Sequence, residues 1–251
     1  MRKNVILFGA MLMMASSAMA QSSQGGIRNA TLQQIVKAQN GSANKALFNA
    51  IANNNIDDLV KNPANQAPVD THFSIETPKQ SIHNQKSSGR CWMFSGFNVL
   101  RSNFAKNDKQ GRVVEFSQDY LFFYDQLEKA NLMLQGVIDT GKKSIEDPQV
   151  QFFFKNPIND GGTFCGVADL AEKYGLAPMS AQPETFSSNN TSKMSKLISS
   201  KLREYGLELR KMVAQGKKSS AIQARKDEML ATVYHMLSLT LGEPVKEFTY
   251  A

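Results

Sequence analysis

The sequence contains few of the residues that define several common classes of protein. Its 251 residues include only two cysteines, too few for the disulfide framework of a small exported protein. These cysteines and the three histidines show no metal-ligand spacing, and we expect neither a metal nor another cofactor. No apolar run approaches the roughly 20 residues that a helix needs to cross a membrane. The sequence therefore excludes a disulfide scaffold and predicts no membrane span in the mature chain.

Acidic residues are in deficit: 29 Lys and Arg face 22 Asp and Glu, for a formal charge of +7. The basic excess is spread over predicted helices towards the C-terminal end. Such a face can touch nucleic acid or anionic lipid, but most basic helical faces are simply solvated. No aromatic residues are interleaved with the basic ones to stack on bases, so we do not expect nucleic acid as a partner.

The first 20 residues form a segment of their own. Arg2 and Lys3 precede an apolar run at residues 5–14, and residues 18–20 read Ala-Met-Ala, a small-residue cleavage pattern. The run is too short for a membrane anchor, and no cysteine follows the cleavage pattern to accept a lipid. The segment 1–20 is therefore predicted to be a secretory signal peptide, and the mature chain to be exported, either periplasmic or secreted.

The remaining chain divides into three predicted parts, and no internal repeat is present. Residues 21–66 are rich in Asn, Gln, Ser and Ala and predict a loose, partly helical lead-in. Residues 67–191 predict a helical domain, which begins with a weakly alternating stretch at 69–77 that favours a short strand. Residues 192–251 predict a pair of helices that meet at Gly216.

Cys91 falls in the first turn of a predicted core helix. Ser88 and Gly89 are helix-start and loop residues, and an apolar stripe follows at helical spacing. The members of that stripe are Met93, Phe97, Leu100 and Phe104. A cysteine attacks as its thiolate, which the unsatisfied N–H groups at a helix N-terminus stabilise. Position alone also fits a buried structural thiol, because free cysteine is among the most buried residue types.

The neighbours of Cys91 favour catalysis. Gln85 lies six residues before Cys91, and Trp92 follows it directly. This segment resembles the papain family, and residues 84–92 (Asn-Gln-Lys-Ser-Ser-Gly-Arg-Cys-Trp) resemble its bleomycin hydrolase and aminopeptidase C branch. The resemblance covers about residues 45–251 through an ordered series of further motifs. These are Asn98–Arg101, Ser117–Tyr120, Asn159–Gly162, Lys173–Pro178, Pro183–Ser188 and Leu241–Pro244.

The resemblance implies a role for each matched residue. Cys91 is the expected nucleophile, and the Gln85 amide with the backbone N–H of Cys91 is the expected oxyanion hole. The expected substrate-binding residues are Asp160, Gly161, Gly162 and Trp92. The two glycines match those whose backbone pairs with an extended substrate, since a residue without Cβ lets another chain approach closely. Trp92 is expected to pack the wall of the cleft.

The resemblance also implies a fold and an activity. The fold is the α+β papain-like cysteine peptidase fold, of which this chain is mostly the helical, nucleophile-bearing domain with a helical insertion. The β-rich half, with its histidine and asparagine, is expected beyond Ala251. The implied activity is that of a cysteine aminopeptidase that cleaves peptide substrates. Members of the family often form hexamers, so the resemblance allows a homo-oligomer.

Two residues depart from the expected chemistry. His235 lies 144 residues after Cys91, a separation found in papain-like enzymes. Its predicted helix, however, buries the face of Val233 and Leu237, which leaves His235 in solvent. Cys165 is expected to be a thiol on a helix face, since the papain cysteine that precedes the nucleophile by three residues is Ser88 here.

Two other functions are compatible with the sequence. One is a catalytically incomplete fragment that binds peptides or helps a partner to assemble, because no histidine and asparagine pair follows Cys91. The other is a redox protein that uses Cys91 and Cys165. The redox function is disfavoured, because no resolving cysteine lies close in sequence to either thiol.

Overall fold

The computed structural model describes residues 26–39, 45–65, 67–109, 112 and 114–249. The predicted signal peptide at 1–20 lies outside the described residues. The chain divides into two compact units, Met1–Phe73 and Ser74–Ala251. Among the described residues, no helix combines the length and the apolar character that crossing a membrane requires.

The first unit contains short helices, as the composition of the lead-in predicts. Helix α1 spans Asn29–Gln39, α2 spans Lys45–Asn53 and α3 spans Ile56–Leu59, followed by a 3₁₀ turn at Pro63–Asn65. Asn55 starts α3 because its side chain accepts a hydrogen bond from the backbone N–H of Asp57. The strand predicted at residues 69–77 is wrong: this stretch has no strand pairing within the described chain.

The second unit is a bundle of seven helices among its described residues. They are α4 (Cys91–Asn107), α5 (Gln118–Asp139), α6 (Pro148–Lys155), α7 (Phe164–Tyr174), α8 (Phe186–Asn189), α9 (Thr191–Ala214) and α10 (Ser219–Leu241). Helix α5 lies at the centre and contacts α4, α6, α7, α9 and α10. In its described part this unit has two isolated bridges, Ser87 with Asn190 and Phe116 with Pro178, and no strand.

The helix boundaries follow from local chemistry. Ser117 caps α5 by accepting from the N–H of Tyr120, and Thr163 caps α7 by accepting from the N–H of Gly166. Gly175 ends α7 in a left-handed conformation with φ of 75°, which a residue without Cβ adopts readily. These residues therefore fix the start of α5 and both ends of α7.

The predicted helical pair α9 and α10 shares the core of the second unit. Its apolar faces pack on α5 through Leu202, Leu209, Met229, Val233 and Leu237, all of which are fully buried. The helical pair belongs to the same compact unit as α4–α8. A domain boundary at residue 191 stays a prediction.

Two arginines of α9 bind the C-terminal ends of neighbouring helices. Arg203 Nε donates to the carbonyl of Phe154 at 2.8 Å, near the end of α6. Arg210 Nη1 donates to the carbonyl of Thr140 at 3.0 Å, just after α5 ends. The last carbonyls of a helix lack intrahelical partners and carry partial negative charge. A guanidinium at that end supplies both the missing hydrogen-bond donors and a compensating positive charge.

Candidate active site

Cys91 is the first residue of α4 and carries a free, exposed thiol. The opposite face of the helix is anchored by Met93 and Phe97, which are fully buried. The carbonyl of Arg90 accepts from the N–H groups of Met93 and Phe94, and α4 has no side-chain cap. Among the described residues nothing accepts a hydrogen bond from the N–H of Cys91, which leaves that donor open to an anion.

Cys165 also lies in the first turn of a helix, α7, and is free and exposed. A helix-start position therefore does not distinguish the two thiols. The caps do: Thr163 Oγ1 already accepts from the N–H of Gly166 in α7, at 3.4 Å, whereas α4 has no such cap. The first turn of α4 can thus offer more N–H groups to an anion.

Gln85 lies on the loop that leads into Cys91 and is held by reciprocal hydrogen bonds to Ser88. Gln85 Nε2 donates to the Ser88 carbonyl at 2.6 Å, and Ser88 Oγ donates to the Gln85 carbonyl at 2.7 Å. Lys86 turns the loop with φ of 55°, a left-handed conformation that non-glycine residues seldom adopt. An amide nitrogen carries two donors, so one N–H of Gln85 remains for another acceptor.

Arg90, the residue before the nucleophile, is fully buried, which the sequence reasoning missed. Its guanidinium binds both carboxylate oxygens of Glu184, at 3.0 and 2.7 Å, and Nε donates to Ser88 Oγ at 3.0 Å. The rings of Phe94 and Phe122 lie 5.3 Å from the guanidinium carbon. The two ends of the ion pair are 94 residues apart, so no local pattern reveals it; its only signal was the Pro183–Ser188 motif.

Asp160 joins the two loops of the site. Its Oδ2 accepts from the N–H of Gly89 and from the hydroxyl of Thr191, both at 2.6 Å. Burial acts to raise the pKa of Asp160, but these hydrogen bonds outweigh it and hold the pKa below its usual value. A Cβ on Gly89 would lie 2.5 Å from the carboxylate, so this close approach requires glycine. The Asp160 carboxylate is thus already bound to Gly89 and Thr191, and its direct contact with a substrate stays a prediction.

Trp92 forms a wall against the predicted substrate loop. The residue is 8% exposed, and its Nε1 donates to the Asp160 carbonyl at 2.9 Å. A Cβ on Gly162 would lie 2.5 Å from the indole ring, so the backbone of Gly162 rests directly on Trp92. Within the described chain no group hydrogen-bonds the N–H or C=O of Gly162, which leaves both available to an extended peptide.

Lys129 of α5 binds the loop that contains Gly161 and Gly162, and it was not identified from the sequence. Its ammonium donates to the carbonyls of Asn159 and Gly161 and to the Asp125 carboxylate, at 2.9, 2.7 and 2.7 Å. It also lies 5.5 Å from the centre of the Trp92 ring. Burial raises the pKa of Asp125, and Lys129 opposes that shift. The carbonyl of Gly161 is therefore already occupied, and Gly162 presents the open backbone.

The histidines in the described part of the second unit make no hydrogen bond to Cys91. His83 lies 3.0 Å from Glu115 and 3.5 Å from the buried Arg101. Arg101 is ten residues along α4 from Cys91, which corresponds to about 15 Å at the helical rise of 1.5 Å. His235 is exposed on α10, as its position in the helix predicts, and makes no hydrogen bond to Cys91 or Gln85 in this part of the chain.

The site combines a free thiol at an uncapped helix start, an amide on the preceding loop and an open glycine backbone. These features match the papain-like domain that carries the nucleophile. The helical architecture of the described chain matches that domain. The chain belongs to the Peptidase C1-like family, whose model matches residues 27–251. The resemblance and the fold class predicted from the sequence are thereby confirmed.

Similar proteins agree with this membership. Aminopeptidase C of Lactobacillus delbrueckii subsp. lactis is 38% identical over 202 residues, which are 80% of this chain and 45% of that protein. Bleomycin hydrolase of Homo sapiens is 38% identical over 182 residues, 71% of this chain and 40% of that protein. The crystal structure of PepW from Lactobacillus rhamnosis HN001 has a TM-score of 0.83 at 36% identity and covers 90% of this chain and 51% of that one. The chain spans about half the length of these relatives.

Proposed function

We propose that this protein is a cysteine peptidase of the bleomycin hydrolase type, and more narrowly an aminopeptidase, that acts on peptides through Cys91. The observation that carries the proposal is the arrangement at α4. There the free thiol of Cys91 lies at an uncapped helix start, directly after the loop that carries Gln85, and the adjacent Trp92 packs against the backbone of Gly162. Relatives named as aminopeptidases favour this function over a peptide-binding fragment or a redox protein.

The proposed reaction begins when the Cys91 thiolate attacks the carbonyl carbon of the substrate. The carbonyl oxygen then becomes negative and accepts hydrogen bonds from the N–H of Cys91 and the second amide N–H of Gln85. The C–N bond breaks, the amine leaves with a proton, and the acyl group remains on sulfur as a thioester. Water hydrolyses the thioester, which releases the acid and restores the thiol.

The substrate backbone is proposed to align along Gly162. The N–H and C=O of Gly162 are unpaired in the described chain, so both groups can bind an extended peptide, and the missing Cβ lets this backbone rest on Trp92. We assign the proton transfers to neither His83, which is bound to Glu115, nor His235, which is exposed on α10 and makes no hydrogen bond to Cys91 in the described chain. Release of N-terminal residues is inferred from the relatives' names, and no described residue accounts for it.

The nucleophile is tested with an activated amino-acid ester. The ester should acylate Cys91, seen as the added mass of the acyl group on the peptide that contains it. Cys91→Ala should abolish this acylation, and Cys165→Ala should retain it. Acylation that persists in Cys91→Ala and disappears in Cys165→Ala would contradict the assignment.

Export and assembly are further parts of the proposal. Residues 1–20 have the pattern of a signal peptide, so the mature protein should begin at Gln21 and lie outside the cytoplasm. Sequencing the N-terminus of the natural protein after cell fractionation tests this, and an intact Met1 on cytoplasmic protein would contradict it. Family resemblance suggests a homo-oligomer, which the mass of the native protein in solution would reveal.

A further inference from the structure

The Gln85 loop is connected to a buried ion pair by an unbroken chain of hydrogen bonds. Glu184 binds Arg90 through both carboxylate oxygens, and Arg90 Nε donates to Ser88 Oγ at 3.0 Å. Ser88 Oγ donates to the Gln85 carbonyl at 2.7 Å, and the Ser88 carbonyl accepts from Gln85 Nε2 at 2.6 Å. Together these hydrogen bonds connect Gln85, the expected oxyanion donor, to the interior of the domain.

The direction of these bonds is fixed at the buried end. A guanidinium only donates, so Ser88 Oγ accepts from Arg90 and has its single proton left for the Gln85 carbonyl. Arg90 itself has no freedom to turn, because it is fully buried between Phe94 and Phe122 and doubly bound to Glu184. The Ser88 hydroxyl therefore points in one direction, and with it the loop that carries Gln85.

We infer that Ser88 and Arg90 are positioning residues that orient the Gln85 amide towards the carbonyl oxygen of a substrate bound at Cys91. This inference rests on the proposed function. One N–H of Gln85 Nε2 is held by the Ser88 carbonyl, so the remaining N–H has a defined direction. A preorganised donor stabilises a developing oxyanion because it does not have to reorient during the reaction.

Two reactions of the same thiol separate positioning of Gln85 from general damage to the site. With iodoacetamide, the Cys91 sulfur displaces iodide from a CH₂ carbon and no oxyanion forms. With an activated amino-acid ester, the sulfur attacks a carbonyl carbon, the oxygen becomes transiently negative, and the alcohol leaves. The ratio of the acylation rate to the alkylation rate of Cys91 therefore reports on stabilisation of the oxyanion and cancels changes in the reactivity of the thiol itself.

The inference predicts how that ratio changes in the variants. Gln85→Ala should lower it by roughly 10²–10³, as expected when an oxyanion-hole donor is lost. Ser88→Ala should lower it about tenfold, the size expected from loss of one hydrogen bond. Ser88→Thr keeps the hydroxyl and should recover most of the ratio. Ser87→Ala deletes a hydroxyl one residue away from this chain of hydrogen bonds and should leave the ratio unchanged.

Glu184→Gln supplies a second variant that leaves the loop sequence intact. It removes the charge and one of the two oxygens that hold Arg90, so it should also lower the ratio. An unchanged ratio in both Ser88→Ala and Glu184→Gln, with a large loss in Gln85→Ala, would overturn the inference and leave the proposed function standing. An unchanged ratio in Gln85→Ala would instead overturn the proposed oxyanion role, and the inference with it.

Discussion

Asp119 is a fully buried carboxyl group whose removal should stabilise the protein at neutral pH. It lies beside the Arg90–Glu184 pair; Gln182 Nε2 donates to its Oδ2 at 3.0 Å, while its Oδ1 has no partner in the described chain. Burial raises the pKa of Asp119 from 3.8 to about 7, and the nearby negative charge of Glu184 adds to the shift. The folded protein therefore holds a proton that the unfolded chain releases near pH 4.

The sign and size of the effect follow from this difference in pKa. Below about pH 4 both states are protonated, and the free energy of unfolding is at its full value. Between about pH 4 and about pH 7 only the unfolded chain loses the proton, so stability falls by about 1.4 kcal/mol per pH unit. Above about pH 7 the folded carboxyl ionises too, and the accumulated loss stays near 4 kcal/mol, or roughly three pH units.

Asp119→Asn keeps the shape and the acceptor for Gln182 but cannot ionise. Relative to wild type, its free energy of unfolding should rise by about 4 kcal/mol between about pH 4 and about pH 8. Urea unfolding followed by the fluorescence of Trp92, the single tryptophan, measures this at each pH. Asp169→Asn, at an exposed position on α7, is the matched control and should show no such trend. A difference between Asp119→Asn and wild type that does not vary with pH would refute the reasoning.

Three further predictions concern the candidate site. Gly162→Ala places a Cβ 2.5 Å from the indole ring of Trp92 and should lower the free energy of unfolding by about 1–3 kcal/mol. In Gly161→Ala the new Cβ meets only a side-chain oxygen at 3.4 Å, so the loss of stability should be smaller. Urea unfolding of both variants measures the difference. Limiting iodoacetamide should label Cys91 before Cys165, because α4 is uncapped; peptide mapping that finds the reverse order would contradict this. Turnover of aminoacyl fluorogenic amides should be lost in Cys91→Ala and kept in His235→Ala, because His235 is exposed on α10 and makes no hydrogen bond to Cys91 in the described chain; turnover lost in His235→Ala would show that His235 is the base.

The helices could be predicted because their signals are local. Ser117, Thr163 and Gly175 each act within one helical turn, and the apolar stripes of α4, α7, α9 and α10 repeat at the helical period. The strand at residues 69–77 was predicted wrongly because a strand requires a partner, and weak alternation does not supply one. Local periodicity thus predicts a helix more safely than it predicts an isolated strand.

The site could be predicted only as far as its motifs reach. Cys91, Gln85 and Gly162 were identified by resemblance, and the structure adds the contacts around them. The binding of Arg90 to Glu184, and of Lys129 to the glycine loop, depends on which helices meet in space. No spacing in the sequence indicates which helices are in contact, so these residues could not be assigned to the site from the sequence.

The two arginines of α9 have a consequence for how this part of the molecule tolerates change. In the described chain both guanidinium groups bind main-chain carbonyls, at Phe154 and at Thr140, and neither binds a side chain of α5 or α6. Every amino acid carries that carbonyl, so substitutions at the partner positions leave the attachment intact as long as the helices keep their lengths. These two polar attachments of the helical pair should therefore withstand substitution of their partner residues, and they depend only on the side chains of Arg203 and Arg210.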